Sequence, residues 1–210
     1  MILYLIRHGE STFNAEGRIQ GQLNSPLSPL GLRQSQALAA AFAGQKIDAV
    51  YSSPLVRAMQ TAGPVAETLG LALRTDDRLL ELNAGVFQGL TWAEINQRLP
   101  AEGDAWKSQN PDYRIPGGES RRDLMRRGQA ALESIREAGH SRVIVVSHGG
   151  LLTAALKALL GVPAERNPFT LYNGSISQVE WQSQFKLITL NQLDHLQAAG
   201  ADLRTRTGDL

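Results

Sequence analysis

Two short apolar runs, Ile2-Leu3-Tyr4-Leu5-Ile6 and Val143-Ile144-Val145-Val146, constrain this chain more than any other feature. Neither alternates apolar with polar residues, so each needs cover on both faces, as strands of a parallel sheet between helices do. Each breaks off at a polar end: Arg7-His8-Gly9 after the first, and Ser147-His148-Gly149-Gly150 after the second. In open parallel sheets, ligands bind beyond the carboxyl ends of the strands. Both histidines are therefore expected at that edge.

The intervening segments keep the same alternation. Ser28-Pro29 reads as the N-cap and first position of a helix that stops at Gly44. Ile47–Tyr51 predicts a second strand, and Ser52-Ser53-Pro54 leads into a helix over Leu55–Ala62 with Arg57 in its opening turn. A third strand is expected at Leu71–Arg74, helices at Glu119–Ala138 and Leu151–Leu160, and a closing hairpin from Ile176–Trp181 and Phe185–Leu190. Strands alternating with helices predict a layered α/β domain. The polar stretch Gly9–Ser28 is too long for a turn and is expected to line the site.

Residues 83–118 differ in texture, with Phe87, Trp92, Trp106 and Tyr113 among turn residues and a short helical signal over Thr91–Leu99. They read as an insertion over the sheet edge. Residues 1–200 are expected to form one domain carrying this insertion as a cap, with 201–210 a flexible tail.

The chain's 210 residues, 42% hydrophobic and 20% charged, suffice for a well-cored domain. A formal net charge of +1 gives no global field toward nucleic acid or a membrane surface, so an anion must be held by a local cluster. The absence of cysteine removes thiol catalysis and the common structural zinc sites. No targeting pattern or membrane-length apolar run is visible, and a cytoplasmic protein is the expectation. Oligomeric state is left open.

Arg7 with His8, Arg57, Glu81 and His148 follow predicted strand ends or, for Glu81, sit among Leu79, Leu80 and Leu82. This set suits phosphoryl transfer through a phosphohistidine: a neutral imidazole is the nucleophile, and it divides one hard displacement into two easier ones. Two guanidinium forks suit the equatorial oxygens. His148 would add a donor, and the helix starts after Gly9, Pro54 and Gly149 would aim N–H groups at the anion. Glu81 is the candidate acid, on the argument that leucine surroundings raise a carboxyl pKa; the plainer reading is an ion pair with Arg78. His140 and His195 are expected to be structural.

The run Arg7-His8-Gly9-Glu10-Ser11-Thr12-Phe13-Asn14 resembles the signature of the histidine phosphatase superfamily, the phosphoglycerate-mutase-like proteins. The resemblance continues in order through Gln20-Gly21, Ser25-Pro26-Leu27-Ser28, Ser52 to Ala58, Glu81 and Ser147-His148-Gly149. It implies a three-layer αβα sandwich with a mostly parallel sheet and a small capping insertion. It implies further that His8 is the phosphorylated nucleophile and Glu81 the proton donor and acceptor, with Arg7, Arg57 and His148 forming the phosphate pocket. Asn14, Gln20, Gly21 and Gly149 would contact substrate. No cofactor and no metal are implied.

A mutase of this family needs extra cations above the pocket to retain a bisphosphorylated intermediate. Between Leu82 and Gly118 the only basic residues are Arg98, Lys107 and Arg114, and Ala84 and Trp92 stand where mutases carry a substrate-contacting tyrosine and lysine. Arg121 and Arg122 read as an exposed helix start. The expectation is therefore a histidine acid-type phosphatase, a phosphoric monoester hydrolase acting on a small-molecule phosphate monoester, with aromatics of the cap either greeting the leaving group or packing a local core. Three alternatives stay open: a cofactor-dependent phosphoglycerate mutase, a two-histidine, one-carboxylate metal site, and a non-catalytic binder of phosphorylated ligands.

Overall fold

The computed structural model describes residues 1–201. In chain order it runs β1 (Ile2–Arg7), α1 (Thr12–Ala15), α2 (Pro29–Phe42), β2 (Ala49–Ser52), α3 (Val56–Leu69) and β3 (Leu73–Thr75). Then follow α4 (Trp92–Arg98), α5 (Pro100–Lys107), α6 (Arg121–Glu137), β4 (Arg142–Ser147), α7 (Gly149–Leu160), β5 (Ile176–Trp181), β6 (Phe185–Gln192) and α8 (Asp194–Ala198).

The strands form one sheet in the order β3-β2-β4-β1-β5-β6. The first four are mutually parallel, whereas β5 runs antiparallel to both β1 and β6. Alternate residues of the two apolar runs enter opposite cores. Leu3, Leu5, Val143 and Val145 pack with α6 and α7, and Ile6, Ile144 and Val146 pack with α2 and α3. That two-sided burial is why β1 and β4 show no alternation in sequence, and it makes the molecule an αβα sandwich.

Local signals set several element starts. Ser28 caps α2 by accepting from the Gly31 N–H, with Pro29 at the first position. Ser120 and Asp123 form a reciprocal capping box at α6. At α3 Leu55 takes the N-cap position without a side-chain bond of its own, while the Ser53 hydroxyl accepts from the Leu55 N–H and lies 2.8 Å from His148 Nε2.

The insertion holds two helices, where the sequence signalled one. Pro100 looks like a helix breaker but stands at the first position of α5, where its missing N–H costs nothing. Phe87, Ile95, Trp106 and Ile115 are buried in the same cluster as Leu3 and Leu5. The insertion's aromatics thus serve chiefly as core, and Trp106 alone of the four also faces the cavity described below.

Packing continues through Ala201, the first residue of the expected tail, which is buried and whose carbonyl accepts from Gln34 Nε2. The rest of the expected flexible tail lies outside the described residues.

Candidate active site

Because β1, β2, β3 and β4 are parallel, their carboxyl ends share one edge, and the sequence delivers Arg7, Ser53 and His148 there. The His8 and His148 rings meet edge to face, with centroids 5.1 Å apart. A cavity of about 260 Å³ opens over His8, lined there also by Gln20, Gly21, Arg57, Glu81 and Gly149, with His148 buried beside the His8 ring.

His8 is 2% exposed, and its Nδ1 lies 2.7 Å from the Gly9 carbonyl oxygen. A carbonyl can only accept, so Nδ1 carries the proton and Nε2 keeps its lone pair. Burial, then the positive charges of Arg57 and Arg7, hold the His8 pKa well below the usual imidazole value, with the Gly9 bond opposing them. The ring is therefore neutral at pH 7.

His148 is fully buried and is likewise held low, first by burial and then by Arg57, His8 and Arg7. Its Nε2 lies 2.8 Å from Ser53 Oγ, while its Nδ1 meets no protein acceptor. Arg57 donates through Nη1 to the Leu23 carbonyl and through Nη2 to the Gly21 carbonyl, both at 2.8 Å. Arg7 Nη1 donates to the Leu171 carbonyl at 2.6 Å. Both guanidinium groups are thus fixed in direction by backbone carbonyls before any anion arrives, so ordering them adds no cost on binding.

Gln20 Oε1 accepts from the Ser11 hydroxyl, which ties the lining loop to the α1 cap. Gly21 adopts a positive φ of 52°, and a side chain there would strike that of Gln88. Asn14 is buried in the α1 capping box and is joined to His8 indirectly: Asn173 Nδ2 donates to both the His8 carbonyl and Asn14 Oδ1.

Glu81 differs from expectation in its surroundings. Leu79 and Leu82 turn into the core while Leu80 stays half-buried, and the Glu81 carboxylate accepts from the N–H groups of Leu82, Gly150 and Leu151 at 2.8 to 3.1 Å. Arg78, the plainer partner, is instead bonded to Asp76. The amides of Gly150 and Leu151 at the start of α7, expected to face an anion, are thus engaged by Glu81. The Gly9 N–H is likewise engaged, by Thr61 Oγ1.

The reading of Arg121 is also corrected. Arg122 is exposed and paired with Asp112, but Arg121 turns into the cavity and lies flat on Trp106, its Cζ 3.4 Å from the ring centroid. Lys157 lines the same cavity at 5% exposure. The cavity is therefore not poor in cations; they come from α6 and α7 and not from the insertion.

Sequence reading also missed Ser53, Thr61 and Asn173. Ser53 follows a strand end like Arg7 and could have been found by that position, whereas Thr61 and Asn173 carry no local signal. Among the described residues, no group of three or more His, Asp or Glu side chains gathers as a metal site. No helix there is long and apolar enough to cross a membrane.

Comparison with known proteins agrees with this geometry. A Yersinia pestis protein named "Probable phosphoglycerate mutase GpmB" is 43% identical over 187 residues, covering 86% of this chain and 85% of that protein. Bacillus stearothermophilus YhfR superposes with a TM-score of 0.86 at 30% identity, covering 93% of this chain and 98% of that one. The mycobacterial glucosyl-3-phosphoglycerate phosphatase complexed with VO3 gives 0.82 at 33%, covering 90% and 98%. The alpha-ribazole phosphatase of Shigella flexneri gives 0.84 at 28%, covering 91% and 96%. The model of the histidine phosphatase superfamily, branch 1, matches residues 3–192, and this chain belongs to that family.

Proposed function

We propose that this protein is a metal-independent phosphomonoester hydrolase of the histidine acid type that works through a phosphohistidine on His8. The observation that carries the reading is the state of His8: neutral, its Nδ1 proton given to the Gly9 carbonyl, and its Nε2 left as a nucleophile at the base of an arginine-walled cavity. Its depressed pKa keeps that nucleophile available in acidic solution.

In the first step Nε2 attacks phosphorus and the ester P–O bond breaks. Arg7 and Arg57 balance the charge spread over the equatorial oxygens. Ser53 Oγ, already accepting from the Leu55 N–H, donates a hydrogen bond to His148 Nε2, which leaves His148 Nδ1–H as a further donor to the phosphoryl group. Glu81, whose oxygens also accept from three backbone N–H groups, must enter this step carrying a proton, which it gives to the departing alkoxide, a contribution of about 10²–10⁴-fold. In the second step Glu81 takes a proton from water as its oxygen attacks phosphorus and the P–N bond breaks, releasing phosphate and restoring His8.

A mutase reading draws support from the printed name of the Yersinia relative and from the two cavity cations. Hydrolysis is favoured because Lys157 stands about two turns along α7 from Gly149, about 12 Å of rise, farther than the vicinal oxygens of a three-carbon acid can span. Rapid quench with labelled esters should show one burst of alcohol and one labelled His8 per chain, both lost in His8→Ala. Turnover without label, or efficient interconversion of phosphoglycerates with little phosphate release, would overturn the proposal.

A further inference from the structure

The cavity does not end at the phosphate pocket. Gly149, Thr153 and Lys157 recur at every fourth residue of α7, with Gly150 and Ala154 beside them, and all five line the cavity. Residues at that spacing share one helix face. The cavity therefore runs lengthwise along α7, starting over His8 and finishing at Lys157.

The far end has a composition of its own: Lys157, Arg121, Trp106, Gln109 and Asn167. Lys157 is a nearly buried cation in a helix that is otherwise largely apolar, and its Nζ reaches one carbonyl, that of Ala164, at 2.7 Å. Arg121 is close enough to help lower the Lys157 pKa, second to burial, while Glu165 acts in the opposite sense. Burial pushes the Arg121 pKa down to about 10, which leaves it charged at neutral pH. Its Nη1 is buried and meets no acceptor among the described residues. Gln109 holds a left-handed backbone, φ 63°, rare for a residue with a side chain and concentrated at functional positions.

Two neighbouring cations held out of water repel each other and lose hydration, an arrangement an arriving anion relieves. The stacking of Arg121 on Trp106 fixes the guanidinium plane, so its remaining N–H groups face a planar or tetrahedral oxyanion without further ordering.

We propose that Arg121 and Lys157 form a second anion subsite at the distal end of the cavity, which selects elongated phosphate monoesters carrying a carboxylate or phosphate remote from the scissile group. The inference rests on the phosphomonoesterase reading and adds to it the substrate class. Its length scale is set by α7: about 12 Å of helix rise separates the level of Gly149 from that of Lys157. A short acid such as phosphoglycolate cannot bridge the two ends.

The test compares hexyl phosphate with 6-phosphonooxyhexanoate and hexane-1,6-diyl bisphosphate, and ethyl phosphate with phosphoglycolate. A charge-assisted contact of the usual strength predicts about a ten- to hundredfold higher kcat/KM for at least one of the two long dianchored esters over hexyl phosphate, carried mainly in KM. Phosphoglycolate should gain nothing over ethyl phosphate. In Arg121→Leu and in Lys157→Met the long-chain ratio should fall toward one, with Arg121→Lys intermediate. Hydrolysis of hexyl phosphate with no advantage for either dianchored ester, or a ratio untouched by both substitutions, would overturn this inference while leaving the phosphatase reading standing. Failure to hydrolyse any of the five, with no label on His8, would overturn both.

Discussion

Gly31 offers a sharp test of how the nucleophile loop is held. A Cβ added there would lie 2.0 Å from the Glu10 carbonyl oxygen and 2.9 Å from its carbon, both backbone atoms with no rotamer to escape through. The first turn of α2 is pressed onto the strand exit at this point: Ser28 N–H donates to the Glu10 carbonyl, Ser28 Oγ to Glu10 Oε1, and Glu10 N–H to Gln34 Oε1. Gly31→Ala must part these backbones by about 1 Å to reach ordinary contact distance. Overpacking of that kind costs about 1–3 kcal/mol, and each weakened buried hydrogen bond about 1 kcal/mol more. The gain in helix propensity, about 1 kcal/mol, opposes this and loses. The net expectation is about 2–4 kcal/mol of destabilisation, a fall in Tm of about 5–15 °C for a chain of this size. His8, the proposed nucleophile, lies two residues before Glu10, so a displacement of this size reaches it, and kcat/KM should fall by about 10²-fold. Thermal melts and steady-state hydrolysis of one alkyl phosphate measure both. A Tm unchanged or raised, as propensity alone dictates, would refute the reasoning.

Two further predictions follow from the site. Glu81→Gln should slow hydrolysis of alkyl phosphates by about 10²–10⁴-fold and of an activated aryl phosphate far less, since a good leaving group needs no proton; equal losses across a leaving-group series would remove Glu81 from the acid's role. His8 and His148 titrate near 6.5 when unfolded and well below it when folded, so between those values the unfolded chain binds more protons and stability falls with falling pH. Each contributes about 1.4 kcal/mol per pH unit below 6.5 while its folded form stays neutral, with His195 adding in the same direction. The carboxylates held low by their bonds, such as Asp48 and Asp76, act only below about pH 4. Tm should therefore drop between pH 6.5 and pH 5, with a shallower slope in His8→Asn; a flat profile would contradict the buried, neutral state of both rings.

What could be read from the sequence was whatever a strand end announces. Ile2–Ile6 and Val143–Val146 needed cover on two faces, which set the sandwich, and the polar residues after them had one edge to occupy. Arg7, His8 and His148 were legible for that reason. Residues placed by tertiary contact were not. Glu81 looked leucine-surrounded because its neighbours in sequence are leucines, yet Leu79 and Leu82 turn into the core and the carboxylate meets amides of α7. Arg121 looked exposed because nothing near it in sequence tells that Trp106, in the preceding helix, will lie under its guanidinium. Lys157 did carry a signal that went unread. It falls two turns after Gly149 on one face of an apolar helix, where a lysine needs a reason.

The place of β1 in the sheet bears on when this protein becomes active. The strand that leads into His8 is far in sequence from its two neighbours in the sheet, β4 and β5, the latter starting only at Ile176. Arg7 is held by the carbonyl of Leu171, and the backbone of His8 by the side chain of Asn173, each bond closing a loop of more than 160 residues. Such long closures are slow to form and come late. Until those late closures form, His8 has no assembled pocket around it. On the proposed reading, release of phosphate would report that the last third of the chain has come home to the first.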